Sequence, residues 1–296
     1  KNGEDRINCY HGTKHGTVTF QRSFEKSCNS SFVNVGLQLE LNKMSRTAEE
    51  LYFNKELPIS MVANQSSYVL GADASDYDIM QTSIGQGKTQ ITPIHLNMIT
   101  QAIANDGQMM KPYVVDRVEN YKGAVVKQYN KTAVGNIMST EEADFLTQLM
   151  TGVVEEGTAT KLSGLSYTAA GKTGSAELTN DKDSDDVIAW FAGFAPYDNP
   201  EVVCYVVLDN PRAEGKEQTS NCLDVWTSIM AEVLPYLDIY KEVQEVAPGA
   251  ESENIDGSVF EDEYNNATNE GDGTAPQDEP DRVPPADTNT TNNSNE

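Results

Sequence analysis

Apolar positions divide the chain into segments with different periods. From Thr19 onward, Phe20, Phe24 and Cys28 recur four apart, one face of a helix. Ser27-Cys28-Asn29 then brings three poor helix formers, and a second apolar run follows with Phe32, Val33, Val35, Leu37 and Leu39. The triplet is therefore expected at a junction between two helices. That matters because residues i and i+2 share no face inside a helix, so only a turn directs Ser27 and Asn29 into one cleft. Residues 1–16 read as loop, with Gly3, Asn8, Gly12 and Gly16 as breakers. Residues 42–54 read as a helix with Ser45 as its candidate cap, and residues 55–80 as mixed and loop-like. Thr92-Pro93 marks a helix start, a hydroxyl cap followed by proline in the first turn. That helix carries Ile94, Met98, Ile99 and Ile103 and stops at Gly107.

Val114-Val115 and Val125-Val126 flank a turn near Lys122-Gly123, which predicts a hairpin over 112–129. Ser139-Thr140-Glu141-Glu142 is a capping signature ahead of Phe145, Leu146, Leu149, Met150 and Val153. Gly157-Thr158-Ala159 ends that helix. A strand through Lys172 follows, then strands over 187–195 and 201–208 with a turn from Pro196 to Pro200, and a last helix from Cys222 to Leu237. Sequential strands joined by short turns, with helices around them, predict an α+β fold: an antiparallel sheet flanked by helices.

Charge divides the chain in two. Of its 296 residues, 46 are Asp or Glu and 21 are Lys or Arg, a formal net charge of -25. This argues against nucleic acid as a partner, because such binding rests on cations meeting phosphates. It also disfavours direct contact with an anionic membrane surface. Roughly half of the net charge lies beyond Glu245, where Arg282 is the single basic residue among Asp, Glu, Asn, Thr, Pro and Gly. The expected organisation is a folded part over 1–240 and an acidic, disordered tail over 241–296. No segment approaches the roughly 18–20 apolar residues of a membrane span, and no signal-peptide pattern is found. A chain beginning at Lys1 reads as a fragment or processed product. Cys9, Cys28, Cys204 and Cys222 form no CxxC pair, and His11, His15 and His95 complete no metal spacing. Cys28 and Cys204 are expected to be buried as small hydrophobes, with a disulfide neither required nor ruled out.

The stretch richest in chemistry is Ala170-Gly171-Lys172-Thr173-Gly174-Ser175-Ala176-Glu177. It sets one cation beside two hydroxyls in an extended, glycine-bracketed run. Gly174 would let a ligand backbone lie close to the strand, and such an edge suits a carboxylate-ended peptide. The plainer reading is a buried strand with one snorkelling lysine. A phosphate-cradling loop fails on spacing. It needs a glycine five positions before the second glycine, where Ser166 and Thr82 stand ahead of Gly171 and Gly87.

Taken in order, the motifs resemble the penicillin-binding transpeptidases, the serine D,D-transpeptidases of bacterial walls, which carry SxxK, then SxN, then KTG. Ser27-Cys28-Asn29 looks like the second signature and Lys172-Thr173-Gly174 like the third. Similar too are Ile84-Gly85-Gln86-Gly87 with Thr92-Pro93, Gly157-Thr158-Ala159, and Ala189-Trp190-Phe191-Ala192-Gly193-Phe194-Ala195-Pro196. The resemblance covers about residues 5–237 and is strongest to the monofunctional, class B enzymes. It departs from the family at SxxK. The local string Ser23-Phe24-Glu25-Lys26 abuts Ser27 and cannot face it across a cleft, so it reads as the surface-facing stretch of an amphipathic helix. The chain is expected to be the C-terminal part of a transpeptidase whose nucleophile lies upstream.

The resemblance implies acyl transfer through a serine acyl-enzyme. It implies that Ser27 relays a proton and that Lys172 lowers the pKa of that relay and attracts the substrate carboxylate. It further implies that Asn29 binds the substrate amide, that Thr173 and Ser175 hydrogen-bond the carboxylate beside Gly174, and that the Ser175 N–H forms half of an oxyanion hole. Read without it, Ser27 is a helix cap and Asn29 a turn residue. Strand alternation sets Lys172 opposite Thr173 and Ser175, so all three serve one cleft only on an edge or twisted strand. The implied partners are peptidoglycan stem peptides, β-lactams as covalent inhibitors of the intact parent, and a cell-wall synthesis complex. No cofactor and no metal are expected, and the implied location is the extracytoplasmic face of the bacterial membrane, anchored by an upstream segment. Trp190, Phe191, Phe194 and His95 are expected to be structural. The alternatives are a carboxypeptidase, β-lactamase or sensor on the same fold, or a non-catalytic peptide- or β-lactam-binding module.

Overall fold

The structure is a computed structural model that describes residues 7–9, 12–178, 186–211 and 218–239. The acidic stretch over 241–296, and the expectation of disorder there, lies outside the described residues. Two short helices come first, α1 (Phe20–Glu25) and α2 (Asn29–Gly36). The Thr19 hydroxyl caps α1 by accepting from the Arg22 N–H. Between them Ser27 takes φ of 52°, a left-handed conformation that a non-glycine residue adopts only at some cost. The Cys28 N–H donates to the Ser23 carbonyl at 2.8 Å, closing the turn from which α2 restarts. The triplet thus sits at a helix junction, as its composition predicted.

Helix α3 (Leu41–Glu50) follows. Ser45 lies inside it and is no cap; its hydroxyl donates to the Leu70 carbonyl at 3.1 Å. Residues 55–80, read as loop-like, contain the start of α4 (Asp76–Ser83). Ser75 and Asp78 form a full capping box there, a signal hidden by the weak apolar pattern behind it. Thr92 caps α5 (Pro93–Ile103). Four short strands come next: β1 (Gln108–Met110), β2 (Arg117–Glu119), β3 (Val125–Gln128) and β4 (Ala133–Asn136). The predicted hairpin is β2 with β3, and an unforeseen antiparallel pair of β1 with β4 brackets it. Helix α6 (Thr140–Glu155) opens on the Ser139–Glu142 capping box. A 3-10 turn at Thr160–Leu162, strands β5 (Ala170–Glu177), β6 (Val187–Ala195) and β7 (Val202–Asp209), and helix α7 (Gln218–Tyr236) complete the order.

Strands β5, β6 and β7 form one antiparallel sheet in that order, so β5 lies at an edge. Helices bury both faces of its central strand. On one face Ala189, Phe191 and Val206 pack with Cys222, Trp226, Met230 and Leu234, which recur four apart along α7. Phe191 meets Trp226 edge-on, with centroids 5.4 Å apart at 84°. On the other face Ala170 and Phe194 pack on Met150 of α6. Phe191 and Phe194 are fully buried, as expected of core residues, each worth about 1.5–3 kcal/mol of apolar burial.

Helix α1 docks on the end of α6 through a buried carboxylate. Glu25 accepts from Gln21 Nε2 at 2.8 Å and from Arg22 Nη1 at 2.9 Å, and Arg22 also reaches Glu156. A Cβ at Gly152 would stand 2.6 Å from the Glu25 carboxylate, so that helix position has no room for a side chain. The Thr158 N–H donates to the Glu25 carbonyl at 3.2 Å, tying the Gly157-Thr158-Ala159 turn to α1. The surface-facing reading of residues 23–26 is therefore corrected: Ser23 and Glu25 are buried. Ser23 Oγ donates to the Thr19 carbonyl and bonds Ser31 Oγ at 2.9 Å, while Lys26 Nζ donates to the Glu156 carbonyl.

His95 is fully buried and structural, as expected. Its Nε2 lies 2.7 Å from the Leu51 carbonyl and can only donate there, which leaves Nδ1 to accept from Ser66 Oγ at 2.7 Å. Ser66 in turn accepts the Thr92 N–H at 3.0 Å, so one network joins the start of α5 to the end of α3. Burial holds the imidazole pKa below its ordinary value and keeps it neutral. His95→Leu removes both partners and leaves the Leu51 carbonyl orphaned. It is expected to lower unfolding free energy by about 2–4 kcal/mol in urea denaturation.

Candidate active site

The α1–α2 turn and the first half of β5 meet at one polar contact. Lys172 Nζ donates to Ser27 Oγ at 3.0 Å and to the Thr173 carbonyl at 2.8 Å. Its ammonium lies 5.8 Å from the centre of the Phe24 ring. Lys172 is only partly accessible, and burial pushes its pKa down from 10.5 to about 8. Ser27 is exposed, its hydroxyl turned outward by the left-handed backbone while Cys28 behind it is buried. The arrangement is a solvent-facing hydroxyl backed by a lysine whose ammonium burial makes more acidic than usual.

Alternation along β5 sends the neighbouring residues elsewhere. Thr173 is buried, and its Oγ1 lies 2.5 Å from Thr158 Oγ1. Its hydroxyl is engaged by the turn after α6, and strand alternation sets it on the face opposite Lys172. Ser175 is exposed at the strand edge. The space at Gly174 is filled from within: a Cβ there would lie 2.1 Å from Cε2 of Trp190. The close approach that this glycine permits on that face is made by the indole, so Trp190 is half-buried over the strand while Phe191 and Phe194 are in the core. Asn29 opens α2, and its Nδ2 donates to the Asn8 carbonyl at 3.0 Å. The structure thus brings Ser27 and Lys172 together, while Asn29 follows Ser27 at the start of α2 and Gly174 and Ser175 follow Lys172 along β5.

Sequence reasoning named Thr158 in a family-like stretch and Phe24 on a helix face without placing either at the site; Thr158, in the turn after α6, meets Thr173, and Phe24 of α1 lies beside Lys172. The glycine-rich end of α6 was the available signal for Thr158. It also missed a sulfur-rich cluster. Cys9, His15 and Cys28 present ligand atoms within 4.8 Å of one another, a cluster that the sequence spacing does not show. These donors come from a loop and a helix start, so no fixed sequence interval announces them.

The penicillin binding protein transpeptidase domain model matches residues 1–230. Stage V sporulation protein D of Bacillus subtilis is 26% identical over 238 residues, 79% of this chain and 37% of that protein. The solved D,D-transpeptidase domain of a peptidoglycan glycosyltransferase from Eggerthella lenta superposes with a TM-score of 0.65 at 27% identity, over 75% of this chain and 56% of that one. The imipenem acyl-enzyme complex of penicillin-binding protein A from M. tuberculosis gives a TM-score of 0.63 at 25% identity, over 73% of this chain and 48% of that one. The chain therefore spans little more than half, or less, of the proteins it matches. Its SxN-like turn meets its KTG-like strand through the Ser27–Lys172 hydrogen bond, and with a family match over most of its length the chain belongs to the penicillin binding protein transpeptidase domain family.

Proposed function

We propose that this chain supplies one wall of a peptidoglycan D,D-transpeptidase site, with the nucleophile provided by a part of the protein outside this sequence. The observation that carries the reading is the 3.0 Å contact between Ser27 and a lysine whose pKa lies at about 8. Ser23-Phe24-Glu25-Lys26, the one Ser-x-x-Lys string of the sequence, does not supply the nucleophile. Its serine is buried and doubly bonded, and its lysine is turned to Glu156.

In the proposed reaction a serine oxygen attacks the penultimate D-Ala carbonyl of a stem peptide. The new C–O bond forms the acyl-enzyme as the C–N bond to the terminal D-Ala breaks. The departing amine needs a proton, and Ser27 can deliver one while Lys172 restores it. An amine of a neighbouring stem then attacks the ester, and the serine leaves with its proton returned along the same path. The Lys172 ammonium and the exposed Ser175 hydroxyl suit the substrate's terminal carboxylate, and the free edge of β5 can pair with its backbone. β-Lactams enter by the same chemistry as covalent mimics of the acyl donor, and a wall-synthesis complex is the expected setting. The reading implies the extracytoplasmic face of the membrane. No described helix is long and apolar enough to cross one, so an anchor would lie outside the described residues.

Intact mass after incubation with a penicillin tests the reading on this chain beside a form extended by its upstream sequence. One covalent drug mass on the extended form alone is the expected result. Acylation of the short chain would make Ser23 or Ser27 the nucleophile, and no acylation of either would favour a non-catalytic binding module.

In the extended form the charged lysine is the working state, so acylation kcat/KM is expected to be level below pH 8 and to fall as pH rises through about 8. Lys172→Gln should lower the rate roughly 100-fold and remove that limb; a limb that survives the substitution would exclude Lys172 as its source. The same shift fixes a stability trend. Between about pH 8 and 10.5 the unfolded chain binds more protons than the folded one, so the stability contributed at this position rises with pH. Lys172→Met should be more stable than wild type at pH 7 in urea denaturation, with the gap narrowing across that window.

A further inference from the structure

Beneath the Ser27–Asn29 turn lies a group of donors that the proposed chemistry does not use. Cys28 is 4% exposed and forms the cap position of α2. Cys9 is 7% exposed, and its Sγ lies 3.8 Å from Cys28 Sγ. His15 approaches from the following loop, with every ligand atom of the trio within 4.8 Å of the others. Its Nδ1 is buried and has no hydrogen-bond partner. Both thiols are free. A buried imidazole nitrogen facing two thiols with nothing to bond is costly unless something accepts its lone pair.

The spacing identifies what that is. Metal–sulfur bonds of about 2.3 Å at tetrahedral angles set two thiolates about 3.8 Å apart, the separation found here. A disulfide needs its sulfurs at about 2.05 Å, so this pair must move together before it can bond. Two thiolates with one imidazole form a soft donor set that selects zinc-class cations over calcium or magnesium. Hydroxyls stand behind both sulfurs: Ser31 Oγ lies 3.3 Å from Cys28 Sγ, and Ser30 Oγ lies 3.6 Å from Cys9 Sγ. Such outer donors stabilise and orient ligating thiolates. The start of α2 adds its own preference for negative charge.

We propose that Cys9, His15 and Cys28 form a binding site for a thiophilic divalent cation of the zinc class, which fastens the N-terminal loop beneath the Ser27–Asn29 turn. Three protein donors leave a fourth position for water or another ligand. The loop already meets the turn on its other side, where the Asn8 carbonyl accepts from Asn29. A cation at Cys28 therefore holds the turn between the two residues that face the cleft. The site acts on positioning, and it stands whether or not the transpeptidase reading holds.

Cobalt(II) titration of the reduced full chain, without oxygen, tests this. The expected result is one equivalent bound, with near-ultraviolet thiolate-to-cobalt charge-transfer absorption and tetrahedral d–d bands, both displaced by zinc. Cys9→Ser and Cys28→Ser should each lose the charge-transfer band, and Cys204→Ser should keep it. His15→Ala alters a half-exposed loop residue; its near-ultraviolet circular dichroism should match wild type while cobalt affinity falls at least tenfold. Absence of the band in the folded wild-type chain overturns the proposal, as does a band that persists in both Cys9→Ser and Cys28→Ser. Loss of two titratable thiols in air, with no metal uptake by the reduced chain, overturns it in favour of a redox pair.

Discussion

The contact between Lys172 and Ser27 joins two supports that are 145 residues apart in the chain. Neither support alone would hold it. Ser27 presents its hydroxyl only because its backbone is left-handed, a conformation that costs a non-glycine residue of order 1–2 kcal/mol. Hydrogen bonds from the Ser27 N–H to the Phe24 carbonyl and from the Cys28 N–H to the Ser23 carbonyl fix the turn. The Glu25 carboxylate in turn fixes α1 against α6. On the other side, Lys172 is held by the first half of β5, whose register with β6 is set by core packing around Phe191 and Phe194. The site geometry is thus a product of the core.

The lysine is also where the fold gives up stability for chemistry. A surface lysine beside a carboxylate would be ionised through the whole physiological range and of little use as a proton carrier. Lys172 instead has a serine hydroxyl, a backbone carbonyl and an aromatic ring as neighbours, and burial lowers its pKa. Perturbed groups of this kind gather at functional sites because the environment that makes them reactive is one a structural residue would avoid. Lys26, at the C-terminal cap of α1, shows the contrast. Its Nζ donates to the Glu156 carbonyl at the protein surface.

Much of this was readable before any coordinates. The Ser-Cys-Asn interruption predicted a turn because three weak helix formers sat between two apolar runs. The Thr92-Pro93 and Ser139–Glu142 caps predicted α5 and α6, since capping chemistry is local. What was not readable depends on contacts distant in sequence. The Ser75–Asp78 box was local too, but its helix shows little apolar periodicity to accompany it. The burial of Glu25 required knowing that Gly152 of α6 leaves room for its carboxylate. The diversion of Thr173 to Thr158, and the occupation of Gly174 by Trp190, follow from which face of β5 each neighbour covers. A motif string gives the residue types of a site; it does not say which of them the core claims.

The middle residue of the triplet makes the same point in reverse. At this turn Ser27 is exposed and Asn29 half-exposed, while Cys28 between them is buried. The cleft therefore does not constrain the chemistry at position 28, and the residues beneath do. Here they are Cys9 and His15, and the loop that carries them meets the turn at two points, through sulfur at Cys28 and through the Asn8 carbonyl at Asn29. A ligand that bridges Cys9 and Cys28 stiffens the stretch whose backbone strain aims Ser27. The loop can thereby affect the cleft without a residue of its own in the Lys172–Ser27 contact. Motif matching treats the middle position of SxN as unspecified, but in this fold it is the position through which the N-terminal loop and the cleft are mechanically joined.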